Sequence, residues 1–168
     1  MSYIISPPEE TALQAHLQKL RTQLHEDPEL SWQEHRTTRL VRRELEALCL
    51  EPVPLGLPTG TAALLRGALP GPTVGLRADL DALPITERTG AEFSSRVPGV
   101  MHACGHDIHM AALLGAARLL AARREQLAGN VLFLFQPAEE AATGAMQVLK
   151  QGLFRRVPMA GMLALHVW

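Results

Sequence analysis

Leu13, Leu17, Leu20 and Leu24 recur at helical spacing with polar residues between them, the mark of a helix with one apolar face. Ser6-Pro-Pro-Glu-Glu ahead of them offers a capping serine, prolines tolerated in a first turn, and acids at the positive end of the helix dipole. Pro28 pushes Asp27 out of helical space, so this helix ends near His25 to Pro28. A second amphipathic helix is expected from about Trp32 to Leu48, burying Leu40, Val41, Leu45 and Leu48. Val53 to Gly60 is turn-rich, Thr61 to Arg66 reads as a strand, and Ala68-Leu-Pro-Gly-Pro reads as a tight turn. Thr73 to Asp81 is expected to be a buried strand, followed by an irregular surface loop from Pro84 to Gly99. From Ile108 onward small apolar residues predict a buried helix, closed by Arg123-Arg-Glu-Gln, with a turn at Gly129-Asn130. Val131-Leu-Phe-Leu-Phe is an unbroken apolar run of the kind buried inside α/β sheets. A short helix from Gly144 to Leu149 and a last strand from Met159 to Val167, running on into Trp168, complete the series. Alternating strands and helices predict an α/β fold with one sheet covered by helices.

Collecting the polar ends of these strands brings out a pattern. Asp79 and Asp81, Glu139 and Glu140, and His166 all lie at or just past the C-terminal end of an expected strand, the edge at which open α/β sheets bind ligands. The stretch Met101 to Ala112 adds Cys104, one of two cysteines, and three of the seven histidines.

Composition narrows the function classes. A chain of 168 residues is long enough for one domain with a core. A net charge of -1 argues against nucleic-acid or membrane-surface partners, which need a basic excess. Two cysteines, Cys49 and Cys104, are too few for a disulfide framework, which points to a reduced setting. Met1-Ser-Tyr-Ile-Ile has neither a basic start nor a long apolar run, so no signal peptide is expected and the protein is expected to be cytoplasmic.

Cys104 and His106, one glycine apart, would point to the same side of an extended segment, and thiolate and imidazole suit a borderline-soft ion such as zinc. A buried free cysteine beside ordinary loop histidines is the competing reading. His102 and His109 are expected outside the ligand set, and Asp107 either caps the helix or orients a histidine. Glu139 and Glu140, adjacent in an extended segment, face different ways and so suit different tasks, although they also fit an acidic helix start. His166 in an apolar strand reads first as a satisfied core histidine, and Asp79 and Asp81 read first as bonding backbone amides, with a role near a metal the alternative. A thiol nucleophile at Cys104 is a further alternative, but it leaves Glu139, Glu140 and His166 unused.

Leu76-Arg-Ala-Asp-Leu-Asp-Ala-Leu-Pro, Met101-His-Ala-Cys-Gly-His-Asp-Ile-His-Met-Ala, Phe135-Gln-Pro-Ala-Glu-Glu and Leu165-His-Val-Trp, with His25-Glu-Asp-Pro-Glu-Leu upstream, resemble the metal-dependent amidohydrolases. That group includes hippurate hydrolase, N-acyl-amino-acid amidohydrolases and plant indole-acetyl-amino-acid hydrolases. The resemblance implies a mixed sheet in a di-metal peptidase-like catalytic domain. It implies two divalent ions, zinc or manganese, held by Cys104, His106, Glu140 and His166, with Cys104 bridging. Glu139 is then the general base, and the substrate a small N-acyl amino acid such as hippurate. Members of the family are longer, with an inserted lid or dimerisation domain and a further histidine ligand. Residues 1–168 are therefore expected to be the N-terminal portion of the catalytic domain, its full-length form a homo-oligomer. The alternative is a catalytically incompetent fragment that binds metal weakly or needs a complementing chain. An exposed apolar sheet edge and self-association are expected on that reading.

Overall fold

The computed structural model describes residues 6–167; the Met1–Ile5 segment and Trp168 lie outside the described residues. Helix α1 (Pro7–Glu26) starts as expected, with the Glu9 carboxylate accepting both the N–H and the hydroxyl of Ser6. Helix α2 (His35–Ala47) starts three residues later than expected. Trp32 has φ 65 and Gln33 N–H closes a turn onto the Leu30 carbonyl, so the chain cannot yet be helical. Its first turn is capped from upstream, by the Glu29 carboxylate on Thr37 N–H and hydroxyl.

Then follow β1 (Glu51–Val53), β2 (Thr61–Arg66), β3 (Leu69–Asp79), α3 (His106–Ala121), a 3₁₀ turn (Arg124–Gln126), β4 (Ala128–Gln136), α4 (Gly144–Lys150), α5 (Leu153–Arg156) and β5 (Gly161–Ala164). Ala68-Leu-Pro-Gly-Pro is not a tight turn: β3 already begins at Leu69, and its register shifts before Thr73 because Pro70 and Pro72 cannot donate to a ladder. Gly129-Asn130 is likewise strand rather than turn. A Cβ on Gly129 would stand 2.1 Å from the Pro72 carbonyl oxygen, so only glycine lets the two backbones meet there. β5 stops at Ala164, leaving His166 in the segment beyond it.

Among the described residues the strands form one mixed five-stranded sheet, ordered β1-β2-β4-β3-β5, with β3, β4 and β5 parallel and β1, β2 and β4 antiparallel in sequence. The apolar run in β4 serves both faces. Val131, Phe133 and Phe135 pack with Leu20 and Leu24 of α1, Val41 and Leu45 of α2, and Met110 and Leu114 of α3. Leu132 and Leu134 pack on the other side with Val148 of α4 and Leu153 of α5. The alternation of a strand thus explains why five consecutive apolar residues are all buried. The fold is a mixed α/β sheet covered by helices. No described helix is long and apolar enough to cross a membrane.

Candidate metal centre

Because β3, β4 and β5 run parallel, their C-terminal ends open on one edge. Asp79 ends β3 opposite Gln136, which ends β4, and Asp81, Glu139, Glu140 and His166 follow within four residues of those strand ends. The loop before α3 reaches the same edge. Gly105 (φ 79) turns the chain directly into α3, so His106 is the first helical residue rather than part of an extended run. Cys104 and His106 therefore converge through a left-handed glycine, not through strand alternation.

His106 is nearly inaccessible, at 1 % exposure. Its Nδ1–H donates to the Asp81 carbonyl oxygen at 2.8 Å, with the Asp81 carboxylate 3.6 Å away. A carbonyl can only accept, so a proton sits on Nδ1 and Nε2 is the ring nitrogen left facing the acids. Around that atom lie Asp79 Oδ2 at 3.7 Å, Glu139 Oε2 at 3.8 Å and Glu140 Oε1 at 3.8 Å, each beyond hydrogen-bond range. Ligand atoms of Cys104, His106 and Glu140 lie within 4.8 Å of one another. Glu140 Oε1 is buried with no hydrogen-bond partner among the described residues. A buried lone carboxylate oxygen is costly unless something positive meets it, and thiolate, imidazole and carboxylate are a donor set for a divalent ion.

A second group, Asp79, His106 and His109, also converges, but its atoms are committed elsewhere. Val167 N–H donates to His109 Nε2 at 3.1 Å, so Nδ1–H donates to Asp79 Oδ1 at 2.6 Å. Asp79 Oδ2 pairs with Arg77 at 2.9 Å. His109 thus stands outside the ligand trio. His166 is exposed rather than a core histidine; it stands edge-on to His109 at 5.0 Å and lines the same cavity of about 570 Å³ as Cys104. The structure brings Cys104, His106 and Glu140 together, with Glu139 beside them and His166 on the cavity wall.

Electrostatics follow from this crowding of acids. Burial, then the negative charge of Glu140, pushes the Cys104 thiol up to about 11, which disfavours a free thiolate nucleophile. Burial alone would raise Asp81, but the adjoining His106 ring and hydrogen bonds from Ser31 and the Glu140 and Glu139 N–H groups outweigh it and hold Asp81 at about 2. His102 is buried with both ring nitrogens unpartnered among the described residues, and burial pulls its pKa down to about 4. Asp107 orients a histidine instead of capping α3: its Oδ2 accepts from His25 Nδ1 and Arg21 Nε, both at 2.8 Å. Ser31 and Glu34 also support this edge and carry no local sequence signal, because their partners lie 50 and 104 residues away.

The model for peptidase family M20/M25/M40 matches residues 75–168, which span every group of the trio. The chain is 49% identical over 147 residues to N-acetylcysteine deacetylase of Bacillus subtilis, covering 87% of this chain and 39% of that protein. It is 46% identical over 154 residues to IAA-amino acid hydrolase ILR1-like 6 of Arabidopsis thaliana, covering 91% of this chain and 32% of that protein. Among solved structures, the YXEP protein of Bacillus subtilis, described as a dinuclear metal binding peptidase, superposes with TM-score 0.90 at 45% identity over 94% of this chain and 44% of that one. The chain spans roughly a third of the length of these curated relatives. With the family match covering more than half of the chain, including the whole edge that carries the ligand trio, the chain belongs to peptidase family M20/M25/M40.

Proposed function

We propose that this edge holds two divalent ions, zinc or manganese, through Cys104, His106, Glu140 and His166, and serves hydrolysis of the amide bond of N-acyl amino acids, hippurate among them. The observation that carries the reading is His106 Nε2, its other nitrogen already committed to Asp81, faced by the unpartnered Glu140 Oε1 and within reach of Cys104. Divalent ions bound here supply Lewis acidity, lowering the pKa of water and polarising an amide carbonyl. Glu139, whose side chain is 40% exposed, faces the open side of the site and is placed to act as general base. It takes a proton from the attacking water as the new C–O bond forms, then gives that proton to the leaving nitrogen as the C–N bond breaks. The products are a carboxylic acid and a free amino acid. Asp81 keeps the His106 ring oriented throughout by holding its Nδ1 proton. The names N-acetylcysteine deacetylase and IAA-amino acid hydrolase both describe release of an amino acid from an acyl conjugate, which supports this substrate class.

Residues 1–168 are read as the N-terminal portion of the catalytic domain, with the lid or dimerisation domain and the rest of the catalytic domain on additional sequence. A second reading follows from the coverage of about a third of the relatives' length: the chain binds metal but needs a complementing chain for turnover. Elemental analysis of the purified chain, paired with hydrolysis of hippurate and N-acetyl amino acids with and without chelator, decides between them. Near-stoichiometric metal with chelator-sensitive hydrolysis supports the first reading; bound metal without turnover supports the second. Absence of metal binding overturns both.

A further inference from the structure

The segment between α1 and α2, residues 27–34, lies across the chain just after β3 and just after β4. The Glu29 carbonyl accepts from Ala82 N–H at 2.8 Å, Ser31 Oγ–H donates to Asp81 at 2.6 Å, and Trp32 Nε1–H donates to Thr143 at 3.1 Å. Glu34 makes the deepest of these contacts. Its side chain is wholly buried and forms no ion pair among the described residues, a costly state for a carboxylate unless both oxygens are satisfied. Both are: Ala138 N–H donates to Oε1 at 2.8 Å, and the hydroxyl of Thr59, itself wholly buried, donates to Oε2 at 2.7 Å.

What Glu34 holds is unusual. Ala138 has φ 49, the left-handed region that a residue with a Cβ rarely adopts. It comes immediately before Glu139 and Glu140, whose N–H groups both donate to Asp81 at 3.0 Å. Three consecutive amides of one loop are thus received by two buried carboxylates. Were Ala138 to relax to negative φ, the chain after it would swing and the Glu139 and Glu140 carboxylates would leave the neighbourhood of His106 Nε2.

We propose that Glu34 is a positioning residue of the metal centre, its buried carboxylate locking Ala138 in the left-handed conformation that aims Glu139 and Glu140 at His106. The proposal rests on the reading that Glu140 ligates metal. The test is calorimetric titration of the 168-residue chain with zinc or manganese, comparing wild type, Glu34→Ala, Glu34→Gln and Glu34→Ala with Ala138→Gly. Amide hydrogen exchange at Ala138, Glu139 and Glu140 is followed in the metal-free protein alongside. Glu34→Ala is expected to weaken metal binding by about tenfold or more, the usual loss when a ligand's support is removed, and to speed exchange at the three amides. Glu34→Gln keeps an acceptor for Ala138 and a donor for the Thr59 hydroxyl, so it is expected to bind close to wild type. Glycine adopts positive φ without penalty, so Ala138→Gly is expected to recover part of the affinity lost in Glu34→Ala, which general destabilisation would not allow. A folded Glu34→Ala with wild-type affinity and wild-type exchange overturns the proposal, as does a double variant that recovers nothing. Should Glu34→Ala not fold, Glu34→Asp decides, since its shorter arm cannot span Ala138 and Thr59; wild-type exchange and affinity there overturn the proposal equally. A wild-type chain that takes up no metal sinks the metal reading, and the exchange comparison then judges Glu34 by itself.

Discussion

Adjacent glutamates with different surroundings divide the labour of this site. Glu140 is the more buried of the two, with Oε1 unpartnered beside His106, whereas the Glu139 side chain is 40% exposed. Glu140→Gln is therefore expected to lower bound metal in elemental analysis, while Glu139→Gln is expected to leave metal content unchanged. In whichever form of the protein turns over, Glu139→Gln should cut hydrolysis by about 10²–10⁴-fold, the usual contribution of general acid–base catalysis. Equal metal loss in both variants would refute that division. Gly105 carries a separate demand. Its φ of 79 starts α3, and a Cβ there would meet Val167 Cγ2 at 2.5 Å. Gly105→Ala is expected to destabilise the fold by about 1–2 kcal/mol from the backbone alone, read by urea unfolding, and to weaken metal binding by displacing His106. Unchanged stability would show that the Gly105 turn relaxes freely.

At the level of elements, α1, the loop after β3 and the start of α3 are joined by charge. His25 on α1 lies between Asp107 on α3 at 2.8 Å and Glu87 in the loop at 3.2 Å. Burial alone would raise the Glu87 carboxyl, but Ser95 N–H, the Thr89 hydroxyl and His25 outweigh it and hold it at about 2, against an ordinary 4.5. A folded value below the unfolded one means that Glu87 contributes stability above pH 4.5 and loses it as pH falls toward 2. Glu87→Gln is expected to be less stable than wild type at pH 7, with the two converging between pH 4.5 and 2. Urea unfolding at stepped pH measures this, and a gap constant with pH would refute it.

For the molecule as a whole, β5 is one of the two edge strands of the sheet among the described residues, and Leu163 and Leu165 at and beyond it are 65% and 79% exposed. An unpaired edge carrying exposed leucines invites strand pairing between copies. Concentration-dependent association is expected in sedimentation velocity, and Leu163→Lys with Leu165→Glu is expected to suppress it. A wild-type chain that stays monomeric at all concentrations would refute this.

Local physics made much of the fold legible in the sequence. Helical spacing of leucines and the Ser6–Glu9 pairing mark α1, Thr61–Arg66 is a strand with its expected bounds, and the apolar run of β4 is buried on both faces. Cys104, His106, Glu139, Glu140 and His166 also stood out, because their residue types are costly to keep without a task. Elements whose form depends on distant partners escaped. Pro70 and Pro72 look like a turn, but β4 pairs around them, and Gly129 looks like a turn until the Pro72 carbonyl is seen against it. The start of α2 waits on Glu29, and Cys104 meets His106 through the left-handed Gly105 rather than along a strand. Glu34 carries no mark of its role in the sequence; folding places it against Ala138, 104 positions along the chain. Period, propensity and capping act over a few residues and so are written in sequence. Which buried carboxylate receives which backbone amide is decided only when the sheet brings distant loops to one edge, and that is where this site is built.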